Sequence, residues 1–320
     1  MTPIPGRAMR RRSRPALGRH RPRGAALVVA MLVAAIAAAA ATAMTGESVR
    51  RRASFEGRRD HARAVSLATA AIHWAAGVLA ADAARGGIDH PGEPWAVPLP
   101  PTPVEGGSVE GRIIDAQSRI NVNAIVAGDA AAIATQARLA RLAARRGVDP
   151  AFVDALADWI DADALPREHG AEDDAYAGER RLAANAPMVR AAELAFVRGA
   201  AAVAASRLAD DLVALPADAA LNVNTASAGI LGAVAPELPA EALVVLAASR
   251  ADRPFTSLDD FRTRMRAAGA EIDDPRGLAV SSRHFLVSVR ARQGVASARS
   301  EALIARADNG AATIVWQIVE

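Results

Sequence analysis

Cysteine and lysine are absent from this 320-residue sequence, and aromatic residues make up only 3% of it. Without cysteine the chain can form no disulfide bond, offers no thiolate nucleophile and cannot build a cysteine-type zinc site. The six histidines are scattered and form no HExxH motif or other close pair. A chain rich in alanine, leucine and valine with so few aromatics is expected to be mainly helical, since alanine and leucine are strong helix formers.

The positive charge of the chain is concentrated at its N-terminus. The net charge is +3, a sign that would ordinarily raise the question of a nucleic-acid partner. Eight arginines precede Gly24, however, and they more than account for this balance. The remainder of the chain is roughly neutral to acidic, and it is long enough for about two or three domains with ordinary cores.

Residues 25–44 form an uncharged run of twenty residues, which as a helix would span about 30 Å, the thickness of a bilayer core. Three interpretations of this run are open. It could be a signal peptide cut after residues 41–43, which read Ala-Thr-Ala, or a permanent single-span anchor. The Arg-Gly step before the run also resembles the leader junction of type IV prepilins and pseudopilins. That resemblance implies cleavage after Gly24 by a prepilin peptidase, with Ala25 as the methylated new N-terminus.

The pattern beyond the apolar run predicts an α+β domain that carries a large helical insertion. Helical spacing continues to about residue 84, and a Pro/Gly-rich connector at 90–107 is expected to have no regular structure. The segment SVEGRIIDAQ reads as a short strand, and the C-terminal tail is β-like with a hairpin signal at Asn309-Gly310. We expect the tail strands to pair with the strand near Ile113, so that the helical block between them is an insertion.

Two similar units open the helical block, each with an Asn-Val-Asn triplet, at residues 121–123 and 222–224. Residues 221–261 resemble the helix-hairpin-helix units of competence-type DNA-binding proteins. In that family a glycine-containing turn contacts a phosphate, whereas the matching turn here is Pro-Glu-Leu-Pro at 236–239. A carboxylate in place of glycine disfavours a polyanion, so we expect the fold without the DNA site. A membrane-anchored helix-hairpin-helix DNA-binding protein of the competence type stays as the alternative.

Motifs along nearly the whole chain resemble, in order, those of the K-class minor pseudopilins of type II secretion systems. After the junction at Gly24 come DAQSRINVN from Asp115, LADWIDAD from Leu156, GAEDDAY from Gly170, AEL from Ala192 and LVALP followed by LNVNTA from Leu212. The resemblance implies a pilin-like domain, a long N-terminal helix packed on a small antiparallel sheet, with an inserted all-α block of two SAM-like or helix-hairpin-helix-like subdomains.

The expected layout has six segments. They are a prepilin leader (1–24), the transmembrane start of the long helix (25–44), a pilin-like helix, connector and first strand (45–114), a first helical subdomain with an acidic loop (115–205), a second, helix-hairpin-helix-like subdomain (206–283) and C-terminal strands that return to the sheet (284–320).

The resemblance also implies a place in a filament. Most pilin-like proteins carry glutamate at the fifth mature position, which is Val29 here. A subunit without that carboxylate is poorly suited to repeated stacking but could serve at one end. The family implies a pseudopilus tip protein in the inner membrane, with a cytoplasmic leader and a periplasmic head. The implied partners are the I- and J-class minor pseudopilins, the rest of the pseudopilus and the prepilin peptidase, and no nucleic acid is expected.

The segment from Trp159 to Tyr176 packs six carboxylates into a short loop broken by proline and glycine. It could be a solvated surface, a pair of catalytic carboxylates or a cage for a hard cation. Clustered carboxylates without soft ligands suit calcium, which takes about six to eight oxygen ligands, and the K-class resemblance also implies calcium here. The predicted ligands are Asp161, Asp163, Glu172 and Asp173, with Asn185 and Glu193 closing the shell.

Two carboxylate pairs in the same loop, Asp161 with Asp163 and Glu172 with Asp173, could in principle act as acid and base. No nucleophile motif, phosphate loop or convergent histidine accompanies them in the sequence. We therefore expect a protein that is not an enzyme and has calcium as a structural ion.

Overall fold

The computed structural model describes residues 23–272, 274–307 and 309–320. The predicted leader, except for its last two residues, lies outside this part of the chain. The described chain falls into two compact units that divide between Glu56 and Gly57. The first unit is the N-terminal part of one long helix. The second holds the rest of that helix, a sheet and a block of shorter helices.

The order of long helix, strand, helical block and C-terminal strands is as expected, but the inserted block is not all-α, because it contains four two-residue strands that pair into two small parallel sheets. The helices are α1 (Arg23–Ala83), α2 (Ala130–Arg145), α3 (Phe152–Ile160), α4 (Asp173–Tyr176), α5 (Ala200–Ala205), α6 (Ala228–Val234), α7 (Ala240–Ser249) and α8 (Leu258–Ala267). The strands are β1 (Leu99–Val104), β2 (Gly107–Asp115), β3 (Ile120–Asn121), β4 (Leu212–Val213), β5 (Leu221–Asn222), β6 (Leu278–Ala279), β7 (His284–Gln293), β8 (Ala296–Arg306) and β9 (Ala312–Val319).

The long helix α1 contains a segment that could cross a membrane. Within Ala26–Ala83, the most apolar 18-residue window has a mean hydropathy of 2.4, and none of it is buried. Among the described residues this is the one helix whose length and composition suffice for a span. This helix contains the uncharged run of residues 25–44, and it fits a single N-terminal anchor.

The C-terminal part of α1 packs on a five-stranded antiparallel sheet with the strand order β1-β2-β7-β8-β9. The buried face of the helix has residues at helical spacing, and they are Ala64, Ala68, Ile72, Ala75 and Leu79. They meet alternate inward residues of the sheet, including Phe285, Val287 and Val289 of β7. The predicted pairing of the tail with the strand near Ile113 is confirmed, because β2 pairs with β7 along its whole length.

Two expectations about this sheet need correction. The connector predicted to be irregular contains β1, which pairs with β2. Its prolines are tolerated because β1 is an edge strand, where a missing N–H donor costs no ladder hydrogen bond. The hairpin at Asn309-Gly310 forms between β8 and β9, but β8 ends at Arg306 and β9 begins at Ala312, so the connection is longer than two residues. It is closed by a bond from Ala307 N–H to the Ala311 carbonyl.

The helical block lies between β2 and β7 in sequence, as predicted. Its two Asn-Val-Asn triplets adopt the same turn, since Asn121 Oδ1 accepts from Asn123 N–H and Asn222 Oδ1 accepts from Asn224 N–H. The second asparagine of each triplet then bonds a distant backbone segment. Asn123 forms two hydrogen bonds with the backbone of Met188, which follows the acidic loop in sequence. Its Nδ2 donates to the Met188 carbonyl and its Oδ1 accepts from Met188 N–H, both at 2.8 Å. One apolar core runs through both halves of the block.

Candidate metal centre in the acidic loop

The acidic loop begins where α3 ends. This helix is apolar on nearly all sides, and all but one of its residues are buried, Trp159 and Ile160 among them. Asp161 caps its C-terminus through a bond from its N–H to the Ala157 carbonyl. Two residues on, Asp163 Oδ1 accepts from Leu165 N–H at 2.9 Å. This local turn suits an Asp before Ala-Leu-Pro, and it sends the chain back toward α3.

Three of the predicted ligands come together. Asp161, Asp163 and Glu172 each offer a carboxylate oxygen, and these oxygens all lie within 4.8 Å of one another. We call these residues the three-carboxylate group. Asp161 follows α3 and Glu172 precedes α4, so the group joins the two ends of the loop.

The three-carboxylate group is short of hydrogen-bond donors. Glu172 is only 8% exposed, yet neither of its oxygens has a partner, and Asp161 Oδ1 is also buried without one. Burial, together with the neighbouring carboxylates Asp158, Asp161 and Asp163, raises the pKa of Glu172. A buried carboxylate without a donor is costly. These residues therefore fit a hard cation, which would supply the missing positive charge to the unpaired oxygens.

Asn185 contributes a further unpaired oxygen in this region. Its N–H donates to the Trp159 carbonyl at 3.0 Å, so its backbone is tied to the end of α3. Its Oδ1 is buried and has no hydrogen-bond partner. The residue has a left-handed backbone with φ of 45°, a conformation that asparagine tolerates better than most residues. An amide oxygen of this kind is a normal calcium ligand.

The other two predicted ligands have structural bonds of their own. Asp173 Oδ1 accepts from Ala183 N–H at 2.9 Å. Glu193 Oε1 accepts from the N–H groups of Val189 and Arg190, both at 2.8 Å, and so caps a 3-10 helix. Neither residue belongs to the three-carboxylate group. Each has its second oxygen for any further contact, and their role as ligands stays a prediction.

One arginine compensates part of the loop. Arg167 Nη1 donates to Asp158 Oδ1 and to Asp161 Oδ2, at 2.5 Å in both cases. Neither Asp158 nor its bond to this arginine was predicted from the sequence. The available signal was the position of Asp158 within the apolar run Ala155–Ile160 of α3.

The comparisons with known proteins agree with one another. Two family models, both described as Type II secretion system (T2SS), protein K, match residues 118–217 and 221–281. A Type II secretion system protein K from Pseudomonas aeruginosa is 36% identical over 224 residues, which are 66% of each chain. The protein of the same name from Pectobacterium carotovorum is 33% identical over 298 residues, covering 86% of this chain and 90% of the relative.

A solved structure shows a similar fold. It is the complex of GspK, GspI and GspJ from the type 2 secretion system of enterotoxigenic Escherichia coli. The matched chain superimposes with a TM-score of 0.69 at 20% identity, over 83% of this chain and 99% of that one. The long N-terminal helix, the antiparallel sheet and the helices inserted between its strands are thus a known arrangement.

Proposed function

Because this chain belongs to the protein K family of the type II secretion system, we propose that it is a minor pseudopilin at the tip of the pseudopilus and takes part in protein export across the outer membrane. The family match along most of the chain is the observation that carries this function. The comparisons lend no support to the alternative of a competence-type DNA-binding protein. A structural component of a secretion machine requires no catalytic centre.

The tip position rests on two features of the chain. Val29 stands where most pilin-like subunits have the glutamate that supports stacking. The helical block inserted between β2 and β7 is also far larger than a strand connection needs. In the solved Escherichia coli complex the similar chain is bound to GspI and GspJ. We infer that the partners here are the I- and J-class minor pseudopilins and, through them, the rest of the pseudopilus.

The anchor follows from the N-terminal helix. We infer that a prepilin peptidase cuts after Gly24 and that Ala25 becomes the methylated N-terminus of a single inner-membrane span. The eight arginines of the leader favour a cytoplasmic side for it, and we therefore infer that the second unit lies in the periplasm. The support is the Arg-Gly-Ala junction followed by the exposed apolar window of α1.

The acidic loop is proposed to hold calcium as a structural ion. Asp161, Asp163 and Glu172 are the first ligands, and Asn185 is the next in order of support, since its Oδ1 is also buried and unpaired. Asp173 and Glu193 are proposed to complete the shell with their second oxygens. When bound, calcium would neutralise the group. These residues would then hold the end of α3 to the start of α4.

The helical block is proposed to contain two SAM-like or helix-hairpin-helix-like subdomains that no longer bind nucleic acid. The repeated Asn-Val-Asn turn supports the duplication. In the second copy, Glu237 lies exposed in the turn before α7, where a phosphate-binding relative would present backbone N–H groups. This turn is unsuited to a polyanion.

The proposed function is tested by assembly. The full chain, coexpressed with a prepilin peptidase and the I- and J-class proteins of the same secretion system, should purify in detergent as one complex. N-terminal sequencing should begin at Ala25. A chain that starts after Ala43 would show an ordinary signal peptide. A chain that elutes alone at tens of micromolar while it retards DNA in a gel would favour the competence-type alternative.

A further inference from the structure

Asp158 is the most deeply buried acid next to the acidic loop. Its side chain is fully buried on α3. Both of its oxygens are satisfied by a single residue nine positions later. Oδ2 accepts from the Arg167 backbone N–H at 3.1 Å, and Oδ1 accepts from Arg167 Nη1 at 2.5 Å. A carboxylate at this depth is tolerated only with such partners.

The backbone of the acidic loop also packs closely against the Asp158 carboxylate. A Cβ atom added at Gly170 would overlap Asp158 Oδ2, so only glycine fits at that position. Gly170 N–H also donates to the Arg167 carbonyl at 3.0 Å, which closes a tight turn over residues 167–170. Arg167 is therefore fixed by its backbone as well as by its side chain.

From this fixed position Arg167 reaches the three-carboxylate group. Its Nη1 donates to Asp161 Oδ2 at 2.5 Å, as well as to Asp158. The other oxygen of Asp161, Oδ1, is the buried one without a partner. The two oxygens of Asp161 thus have different surroundings. Oδ2 accepts a hydrogen bond from Arg167, whereas Oδ1 has no partner and is available to a cation bound by the three-carboxylate group.

We propose that Arg167, anchored on Asp158, is the residue that positions Asp161 for a divalent cation. The proposal rests on the calcium site described under the proposed function. Arg167 is a positioning residue and not a ligand, because a guanidinium has no lone pair to offer. Its contribution is to hold one carboxylate oxygen so that the other one faces Glu172 and Asp163. Partners that orient metal ligands in this way typically change metal affinity about 10- to 100-fold when removed.

If Arg167 positions Asp161, its replacement should change the calcium affinity in the direction opposite to the one that simple electrostatics predicts. Replacement of Arg167 by glutamine removes a positive charge beside the cation site. Coulomb attraction alone would then make calcium bind more tightly. If Arg167 positions Asp161, calcium should bind more weakly, because Asp161 can swing away from the group. The direction of the change in affinity therefore separates the two explanations.

The test is isothermal titration of CaCl2 into the detergent-solubilised full chain, with and without the substitution. We expect Arg167→Gln to weaken calcium binding by at least about 10-fold. Arg180→Gln is the matched control, since it removes the same charge from an exposed position in the same segment. It should leave the affinity unchanged or slightly higher. Equal or tighter binding by Arg167→Gln would overturn the proposal.

Melting curves in EDTA supply the second measurement. A purely structural ion pair would lower the melting temperature of Arg167→Gln without calcium and leave its calcium affinity unchanged, which would also overturn the proposal. If that variant does not fold, Arg167→Lys serves instead. Lysine keeps the charge but is a compact point charge on a flexible stem, so weaker binding is expected, and wild-type affinity would contradict positioning. A wild-type chain that binds no calcium would instead remove the calcium site itself.

Discussion

Two groups of three carboxylates lie in different parts of the molecule, and their charge is balanced in different ways. In both groups the carboxylate oxygens lie within 4.8 Å of one another. One group lies at the end of α1 and in the segment after it, and consists of Asp82, Asp89 and Glu93. The other is the three-carboxylate group of the acidic loop. Composition alone would give both the same function.

The carboxylates of the group near α1 all accept hydrogen bonds from donors within the protein. Arg306 Nη1 donates to Asp82 at 3.1 Å, and its Nη2 donates to both oxygens of Asp89 at 2.6 Å. Glu93 Oε2 accepts from the Trp95 indole N–H at 2.9 Å and from a backbone N–H. None of these three acids has a buried oxygen without a partner among the described residues. Such a cluster has no need of a metal ion.

The acidic loop shows the opposite arrangement. Its arginine, Arg167, is turned toward Asp158 and one oxygen of Asp161, so Glu172 has no donor at all. The difference teaches that a cluster of acids becomes a candidate cation site only when its buried oxygens are left unpaired. An arginine of the protein and a cation from the solvent are alternative ways to supply positive charge to a cluster of buried carboxylates.

The largest expected effect is a loss of stability on removal of Arg306 from the group near α1, which is the compensated group of the two. Arg306→Met should leave Asp82 and Asp89 as unpaired buried charges, and the loss of one partner of a buried pair typically costs about 3–5 kcal/mol. Urea unfolding of the full chain in detergent would measure it. Arg266→Met is the control, because Arg266 and its partner Glu271 are 64% and 67% exposed. That change should stay within about 0.5 kcal/mol. A similar loss in both variants would contradict the contrast between buried and exposed pairs.

A smaller effect on stability is expected from the titration of Asp115, a buried acid next to the compensated group. Asp115 accepts from Ser282 and Thr225, yet burial raises its pKa to about 6. The folded pKa lies above the unfolded value of 3.8, so protonation favours the folded state. Stability should therefore fall as pH rises from about 4 to about 6 and then level off, by at most about 3 kcal/mol.

The comparison of Asp115→Asn with the wild type isolates this contribution from other titrating groups. Urea midpoints between pH 4 and pH 7 should lose most of their slope in the variant. Asp252→Asn, at an exposed position, is the control and should keep the wild-type slope. A slope that survives in Asp115→Asn would assign the pH dependence to other acids.

The three-carboxylate group of the acidic loop is expected to make the stability of the chain depend on calcium. Calcium at 100 times its dissociation constant should stabilise the chain by about 2.7 kcal/mol, and a chelator should remove that gain. Glu172→Gln should reduce the response to calcium. Glu93→Gln, in the compensated group, should keep it in full. Thermal melts with CaCl2 and with EDTA would measure both variants, and equal responses would mean that the loop is an ordinary acidic surface.

Local pattern was enough to predict much of this fold. The spacing of apolar residues predicts α1, and alternating β-formers predict β7 to β9. The strand β1 was missed because its prolines are typical of irregular chain, and only its position at the sheet edge makes them acceptable. That position is a tertiary fact, which no local window contains.

The same limit applies to the candidate site. Asp161 and Asp163 are neighbours in sequence, so their proximity could be predicted, and Glu172 lies in the same loop. The pairing of Arg306 with Asp89 joins residues 217 positions apart, and no sequence spacing indicates it. Whether a given acid is paired or orphaned depends on such contacts. The sequence therefore predicts where carboxylates form a cluster. It does not predict which of the clusters lacks a hydrogen-bond donor or a cation.

The insertion of the helical block has an evolutionary consequence. The chain leaves the sheet at Asp115 and returns at His284, and Asp115 is the direct pairing partner of Phe285. The two ends of residues 116–283 are thus as close together as the ends of an ordinary hairpin loop. A long segment could enter or leave the gene at this point without any shift in the register of the surrounding strands. The pairing of β2 with β7 is therefore compatible with inserted modules of different size and fold between these two strands.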